Sequence, residues 1–299
     1  MPKYYRYKAF GLVINSELNL PELNSSSEYQ TDVTIHIGQV PKKLPHITGK
    51  GVLYEAAPGD FLFRLDKVAA FRVQSGSAIT IEPYNNNPEE IRIFLLGSVF
   101  GALFHQRGLL VLHGSAIEFG DVSILFTGKS AMGKSSLAAA FELRGCPIIT
   151  DDLAVLKPEE SGYSIYPGIP YIKLWKDVAD NLYPDNSFTK TRSGLEKYSK
   201  PVQRTPSTEK KQLSKIIVLS TSNQSDFRMN KMEGMEKFNS IRVNTYRLRF
   251  INDLGLNEKH FQLISQLSKE IDLFGIQRPE SPLLLSETVE FILDNVLYE

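Results

Sequence analysis

The chain carries at residues 128–135 the octapeptide Gly128-Lys129-Ser130-Ala131-Met132-Gly133-Lys134-Ser135, which fits the phosphate-binding pattern G-x-x-x-x-G-K-[ST]. An apolar run at 122–127 precedes it and predicts a strand, and a helical pattern at 135–143 follows it. A strand–loop–helix of this kind wraps backbone N–H groups around the phosphates of a nucleotide and points a helix N-terminus at them. A glycine-rich turn without a ligand would not explain the Lys-Ser pair at the helix entry. The predicted nucleotide-binding residues are Gly128, Ser130, Ala131, Met132, Gly133, Lys134, Ser135 and Ser136.

The loop also predicts how two side chains serve phosphoryl transfer, a reaction that needs mainly positioning and charge stabilisation from the protein. We expect the Lys134 ammonium to reach the β and γ phosphates and to favour the charge that builds in the transition state. We expect the Ser135 hydroxyl to bind Mg²⁺. The implied ligands are therefore ATP and Mg²⁺.

Two adjacent acids, Asp151-Asp152, follow a short predicted strand at 147–150. Ligands collect at the carboxyl ends of strands in open α/β sheets. One carboxylate can hold Mg²⁺, directly or through water, while the other takes the proton from an attacking hydroxyl. The alternative interpretation is an N-cap or turn pair.

A predicted hairpin brings His113 to the same loop. The strand at 109–119 and the strand at 122–127 are joined by Gly120-Asp121, so Phe119 should pair with Val122 and His113 should lie opposite Gly128. There the imidazole could orient the basic aspartate or steady its charge; the alternative is an ordinary core histidine. Lys173 and Arg278 are weaker candidates for phosphate binding.

The domain organisation follows from the change in periodicity along the chain. Residues 1–87 show short apolar alternations, as at 33–37, 61–65 and 79–81, and predict a β-rich N-terminal domain. A helix is predicted from Pro88 to Gly108, and strands alternate with helices afterwards, including a last helix that opens at Ser281-Pro282. We therefore predict an α/β catalytic domain at 88–299, with a mixed sheet and flanking helices.

Residues 185–215 form a basic segment with three acidic residues, Asp185, Glu196 and Glu209. The simpler interpretation is a solvated, mobile loop, and the sharper one is a lid or peptide-docking segment that becomes ordered on binding. The basic residues are Lys190, Arg192, Lys197, Lys200, Arg204, Lys210, Lys211 and Lys215.

Composition excludes several kinds of partner. The chain has 34 Lys and Arg residues and 34 Asp and Glu residues, so no net field indicates a nucleic acid or an anionic membrane. The single cysteine, Cys146, is expected to be a small buried residue and fits a reducing, cytoplasmic compartment. The N-terminus has no signal-peptide pattern, and the apolar stretch at 91–104 is too short to span a bilayer. The composition is compatible with a monomer and with a homo-oligomer.

These motifs together resemble the catalytic domain of HPr kinase/phosphorylase: His113-Gly114, the loop at 128–135, Arg144-Gly145 and Asp151-Asp152. The whole chain is more similar to a set of shorter HPr-kinase-like proteins, which includes kinases of lasso-peptide gene clusters that phosphorylate the C-terminal serine of a precursor peptide. The marks of that set are Phe10-Gly11-Leu12, Leu20-Pro21-Glu22-Leu23, Phe104-His105-Gln106-Arg107-Gly108, Pro167-Gly168-Ile169-Pro170 and Lys173-Leu174-Trp175.

The resemblance implies a serine kinase that uses ATP and Mg²⁺ and acts on a peptide. It implies that Asp151 is the base, supported by His113, and that Asp152 lies near the metal together with Ser135. Two departures are visible: Ala131 replaces a glycine usual in HPr kinase, and the long glycine-rich C-terminal signature tied to phosphorylase activity is not found. The alternatives are a kinase of HPr, of another small protein or of a metabolite, and a nucleotide-sensing scaffold without transferase activity.

Overall fold

The structure, a computed structural model, describes residues 3–184, 189–190, 197–203, 209–280 and 284–297. By its internal contacts the chain groups into two units, Met1–Val111 with Thr245–Ile264, and Leu112–Asn244 with Ser265–Glu299. Within the described ranges, no helix combines the length and the apolar character that a membrane-spanning helix needs.

The first unit is built on a mixed sheet with the strand order β3-β1-β2-β4-β9-β8-β7-β6-β5. The alternating apolar residues that predicted strands at 33–37, 61–65 and 79–81 lie in β4, β7 and β9, and the side chains of Ile35, Phe61 and Ile79 are buried. The strands are β1 (Tyr5–Ala9), β2 (Leu12–Ser16), β3 (Asn24–Ser25), β4 (Val33–Ile37), β5 (Gly49–Lys50), β6 (Tyr54–Ala57), β7 (Asp60–Leu65), β8 (Ala69–Gln74) and β9 (Ala78–Pro83).

The predicted helix that follows is confirmed, with a π-helical turn inside it. It runs as α1 (Pro88–Phe94), the π turn Leu95–Val99 and α2 (Phe100–Gln106). The Asn87 side chain caps the helix by accepting from the backbone N–H groups of Glu89 and Glu90. Gly108, at a φ of 70°, ends it.

By its internal contacts this helix groups with the first unit, whereas the predicted domain boundary lies at 87/88. The physical reason is packing: Phe10 lies against Phe104 with ring centroids 4.8 Å apart, and the Gln106 side chain accepts from Gly76 N–H at 2.8 Å. The sequence also gave no sign that residues 245–264 return to this unit. They contribute α6 (Arg249–Asp253) and the start of α7 (Asn257–Glu270), and the Thr48 hydroxyl donates to Asp253 O at 2.6 Å.

The second unit contains a mixed sheet in which β11, β18 and β20 run parallel. Its order is β11-β10-β13-β14-β18-β20-β19, with β12 paired to β10 and β11 also paired to β18; a smaller sheet has the order β15-β17-β16. The strands are β10 (Leu110–Phe119), β11 (Val122–Gly128), β12 (Ile148–Thr150), β13 (Leu153–Pro158), β14 (Tyr163–Ile165), β15 (Tyr171–Trp175), β16 (Thr189–Lys190), β17 (Lys197–Pro201), β18 (Lys211–Ser222), β19 (Arg228–Lys231) and β20 (Asp272–Pro279).

Helices cover this sheet through apolar faces. Phe141 of α3 stacks on Phe126 of β11 with ring centroids 5.5 Å apart, and Val289 and Ile292 of α8 join the same core. The helices are α3 (Lys134–Leu143), α4 (Lys176–Leu182), α5 (Gly234–Val243) and α8 (Leu285–Ile292), with a π turn at Leu293–Leu297. The predicted start of the last helix at Ser281-Pro282 lies outside the described residues.

The sheet topology explains where a site can form. Both β11 and β12 pair antiparallel with β10, so they run in the same direction as each other and as β18 and β20. The segments after Gly128 and Thr150 therefore leave the sheet at one edge, which is also the edge where β18 and β20 end.

Candidate active site

The loop at 128–135 has three residues with positive φ angles, two of which are the glycines of the motif. Gly128 and Gly133 have φ angles of 137° and 87°. A Cβ at Gly128 would lie 2.5 Å from the carbonyl oxygen of Leu219 on the neighbouring strand, so a larger residue would force β11 and β18 apart. Ala131 has a φ of 68°. This is the left-handed region, which costs a non-glycine residue roughly 1–2 kcal/mol, so the departure from glycine falls on a position where glycine is favoured.

Lys134 and Ser135 open helix α3 directly after this loop. Lys134 is 7% exposed, and its ammonium donates to the carbonyl oxygens of Gly128 and Lys129, both at 2.9 Å. The Ser135 hydroxyl donates to Asp151 Oδ1 at 2.8 Å. Loop, cation and hydroxyl thus lie at a helix N-terminus, where the helix dipole favours negative charge.

Asp151 is the carboxylate that lies beside the loop serine. It is 6% exposed, and its Oδ1 accepts from both Ser115 Oγ at 2.6 Å and Ser135 Oγ. Its Oδ2 accepts from the backbone N–H of Lys173 at 3.0 Å. The structure therefore places Asp151 at the position next to Ser135 that the sequence interpretation gave to Asp152.

Asp152 turns to a different set of partners because the chain reverses at this residue. Its φ is 72°, and Leu153 N–H donates to Asp151 O at 3.0 Å, which closes a three-residue γ-turn. The Asp152 carboxylate accepts from the Lys173 ammonium through its Oδ2 at 2.8 Å. A positive φ on an aspartate is a strained conformation of the kind that clusters at functional sites.

His113 lies beside Asp152, as the hairpin register indicated. Phe119 pairs with Val122 and Gly114 with Thr127, so the predicted register is confirmed. His113 Nδ1 is 3.2 Å from the carbonyl oxygen of Asp152 and 3.8 Å from its Oδ1. Because a carbonyl oxygen only accepts, the neutral ring carries its proton on Nδ1.

The charge of His113 is set by its surroundings. Burial lowers the pKa of His113, and the positive charge of Lys134 lowers it further, while the carboxylates of Asp152 and Asp151 act in the opposite direction. The imidazole is therefore neutral at pH 7.

A cavity of about 300 Å³ connects these groups. Gly128 and Met132 of the predicted loop set lie outside its lining; Met132 instead packs against the core of the second unit. The lining residues are His113, Ser115, Ser130, Ala131, Gly133, Lys134, Ser135, Ser136, Asp151, Asp152, Lys173, Trp175, Asp177, Val178, Arg278 and Glu280.

Ser115 is a site residue that the sequence interpretation missed, and Lys173 was underrated. Ser115 is 1% exposed and follows His113 by two residues on β10. Because side chains two apart on a strand share a face, that spacing was the available signal. Lys173 was expected only as a weaker candidate for phosphate binding, yet it contacts both aspartates. Arg278 lies at the end of β20, and its Nη2 is 3.5 Å from the Met132 carbonyl oxygen of the loop.

The lining fits a magnesium–nucleotide. Lys134 and Arg278 bring positive charge to the loop at 128–135, whose G-x-x-x-x-G-K-S pattern is typical of phosphate binding. Ser135 and Asp151 supply the hard oxygen ligands that Mg²⁺ prefers. Among the described residues, no group of three or more His, Cys, Asp or Glu side chains is arranged to hold a metal ion. A magnesium ion here would therefore take most of its remaining ligands from phosphate oxygens and water.

The basic segment at 185–215 differs from the prediction where the structure describes it. Residues 197–201 and 211–215 are strand rather than mobile loop. Four of its lysines have partners within the chain: Lys200 with Glu142, Lys210 with Glu159, Lys211 with Glu118, and Lys215 with the Val296 carbonyl oxygen. Asp185, Glu196, Arg192 and Arg204, and the side chains of Lys190 and Lys197, lie outside the described residues.

Comparison with known proteins finds similarity at the level of a solved structure. No protein-family model and no curated protein matches the chain. Among solved structures, the chain is similar to the Hpr(Ser) kinase/phosphatase from Coxiella burnetii, with 15% sequence identity and a TM-score of 0.33. The similarity covers 62% of this chain and 94% of that one.

Proposed function

We propose that the protein is an ATP-dependent kinase that transfers the γ-phosphoryl group to a serine hydroxyl of a peptide. The observation that carries this proposal is the hydrogen bond from Ser135 to Asp151, beside the Lys134 ammonium, with Asp152 and His113 on the same cavity. A phosphate loop alone would support binding; the second, separately held carboxylate is what a transfer to a hydroxyl requires.

The resemblance implies that Asp151 is the base and that Asp152 lies near the metal. The geometry favours the opposite assignment. Asp151 shares a hydrogen bond with the loop serine, so Asp151 and Ser135 would hold Mg²⁺. When bound, that ion would neutralise charge on the β and γ phosphate oxygens. Asp152 lies next to neutral His113 and is the carboxylate we assign as proton acceptor.

The transfer then requires few groups. The acceptor oxygen forms a bond to the γ phosphorus, and the bond from that phosphorus to the bridging oxygen of ADP breaks. The hydroxyl proton passes to the Asp152 carboxylate. Lys134 stabilises the charge on the phosphate oxygens, and His113 helps to hold Asp152 in place.

The acceptor is proposed from the resemblance to the lasso-peptide kinases, which act on the C-terminal serine of a precursor peptide. The test incubates the protein with γ-labelled ATP and Mg²⁺ together with a peptide ending in serine, the same peptide ending in alanine, or HPr. We expect label in the serine peptide alone. Label in HPr would identify HPr, rather than the peptide, as the acceptor. Binding of ATP without label in any acceptor would indicate a nucleotide-sensing scaffold without transferase activity.

Two variants separate the assigned roles. Asp152→Asn should reduce kcat by about 10²–10⁴-fold, the usual contribution of a positioned base, while ATP binding persists. Asp151→Asn should instead raise the Mg²⁺ concentration needed for half-maximal rate. The sole tryptophan, Trp175, lines the cavity and is 44% exposed, so its fluorescence reports nucleotide binding without an activity assay. If Asp151→Asn instead lowers kcat and Asp152→Asn raises the Mg²⁺ requirement, Asp151 is the base, as the resemblance implies.

A further inference from the structure

Lys173 contacts both members of the acid pair with two different groups. Its backbone N–H donates to Asp151 Oδ2 at 3.0 Å, and its ammonium donates to Asp152 Oδ2 at 2.8 Å. Two carboxylates on adjacent residues repel each other, and the backbone of Asp152 is held at a positive φ of 72°. Lys173 is thus one residue that contacts both carboxylates.

Strand β15 holds Lys173 firmly enough for this task. The neighbouring side chains Ile172 and Leu174 are buried on the opposite face, which turns Lys173 toward the cavity. Ile172 pairs with Lys200 of β17, whose ammonium is buried 3.5 Å from the carboxylate of Glu142 on the loop helix α3. The strand that carries Lys173 is therefore connected, through one paired strand, to the helix that carries Lys134 and Ser135.

We infer that Lys173 is a positioning residue of the active site, which holds Asp152 through its ammonium and Asp151 through its backbone N–H. This inference rests on the proposed kinase function. It assigns Lys173 the task of keeping the proton-accepting carboxylate at a fixed distance from the loop, rather than the task of binding ATP. Removal of the ammonium leaves the backbone contact to Asp151 in place and removes the ion pair that Lys173 makes with Asp152.

The kinetic test compares Lys173→Met, Lys173→Arg and the control Lys176→Met. Lys176 is an exposed lysine three residues away that pairs with Asp180 at 2.6 Å, so the control removes the same charge from the same segment. We expect Lys173→Met to lower kcat by about 10²-fold, as misplacement of a reacting group does, with the KM for ATP changed less than about threefold. Lys173→Arg should recover part of the rate, and Lys176→Met should equal the wild type. An unchanged kcat in Lys173→Met, or a rise in the KM for ATP alone, would overturn the inference.

A second measurement does not depend on activity. The Tm is recorded for the wild type, Lys173→Met, Asp152→Asn and the double variant. We expect Lys173→Met to lower the Tm by about 2 °C in the wild type and by less than half as much when Asp152 is already neutral. Equal losses in both backgrounds would show that the ammonium does not hold Asp152. If the wild type labels no acceptor, the proposed function fails, whereas this cycle still decides whether the contact exists.

Discussion

The hydrogen bond from Ser115 to Asp151 gives the sharpest test of the site, because the chain contains a matched control. Ser115 Oγ donates to Asp151 Oδ1 at 2.6 Å, and Ser123 Oγ donates to the Gln212 carbonyl oxygen, also at 2.6 Å. The two serines are 1% and 0% exposed and lie on the two strands of one hairpin. They differ in the acceptor, which is a carboxylate for Ser115 and a neutral carbonyl group for Ser123.

The expected magnitudes follow from that difference. A hydrogen bond to a charged group contributes about 1.5–3 kcal/mol, and a neutral one about 0.5–1.5 kcal/mol. Ser115→Ala should therefore lower the free energy of unfolding by about 1.5–3 kcal/mol and Ser123→Ala by about half as much. Asp151 keeps two of its three donors in Ser115→Ala, Ser135 Oγ and Lys173 N–H. If the loss of this hydrogen bond raises the activation free energy by the same amount, kcat drops by about 10- to 10²-fold.

Urea unfolding and initial rates of phosphoryl transfer measure the two effects on the same protein preparations. Ser123→Ala should leave kcat at the wild-type value, because its acceptor lies outside the cavity. The reasoning is refuted if Ser115→Ala and Ser123→Ala lose equal stability and neither loses activity. In that case Asp151 would not depend on Ser115 for its position.

Three further predictions concern other buried titratable side chains. Lys134→Met should lower kcat by about 10²–10³-fold, the cost of one preorganised donor, and a near wild-type rate would contradict its role. Burial lowers the pKa of His105 to about 4, so the unfolded state binds more protons between pH 6.5 and 4 and stability falls as the pH falls through that window. His105 should contribute about 2 kcal/mol to the loss of stability from pH 7 to pH 5. Urea unfolding should show the loss reduced by this amount in His105→Gln, while the part that His113 contributes through its own lowered pKa remains; equal slopes in both proteins would exclude His105 as a cause. Lys200→Met should lower the free energy of unfolding by about 3–5 kcal/mol, because it leaves the buried Glu142 carboxylate without its ion pair, and the double variant with Glu142→Gln should recover part of that loss; a loss below about 1 kcal/mol would argue against a buried pair.

Local patterns predicted the parts of the fold that short-range physics controls. The two-residue turn Gly120-Asp121 fixed the hairpin register and so placed His113 near the phosphate loop. Asn87 and Pro88 start the helix as capping rules require. The start of β18 was missed, because Lys211 and Gln212 belong to a polar segment that becomes strand only by pairing with β14. The tertiary partner overrides the local composition there.

The sequence by itself determined the phosphate loop, its flanking strand and helix, and the presence of two acids after a strand on the same edge of a sheet. These features depend on the spacing of residues along the chain, on the residue types of the turns and on the periodicity of apolar residues. All three are set by residues that are close together in the sequence. Only the tertiary structure decided which acid contacts Ser135, because distant residues hold each carboxylate: Ser115 Oγ donates to Asp151, and the Lys173 ammonium donates to Asp152. Ser115 and Lys173 enter the site for the same reason: they lie 36 and 22 residues from Asp151 along the chain, and it is strand pairing that brings their donors to its carboxylate.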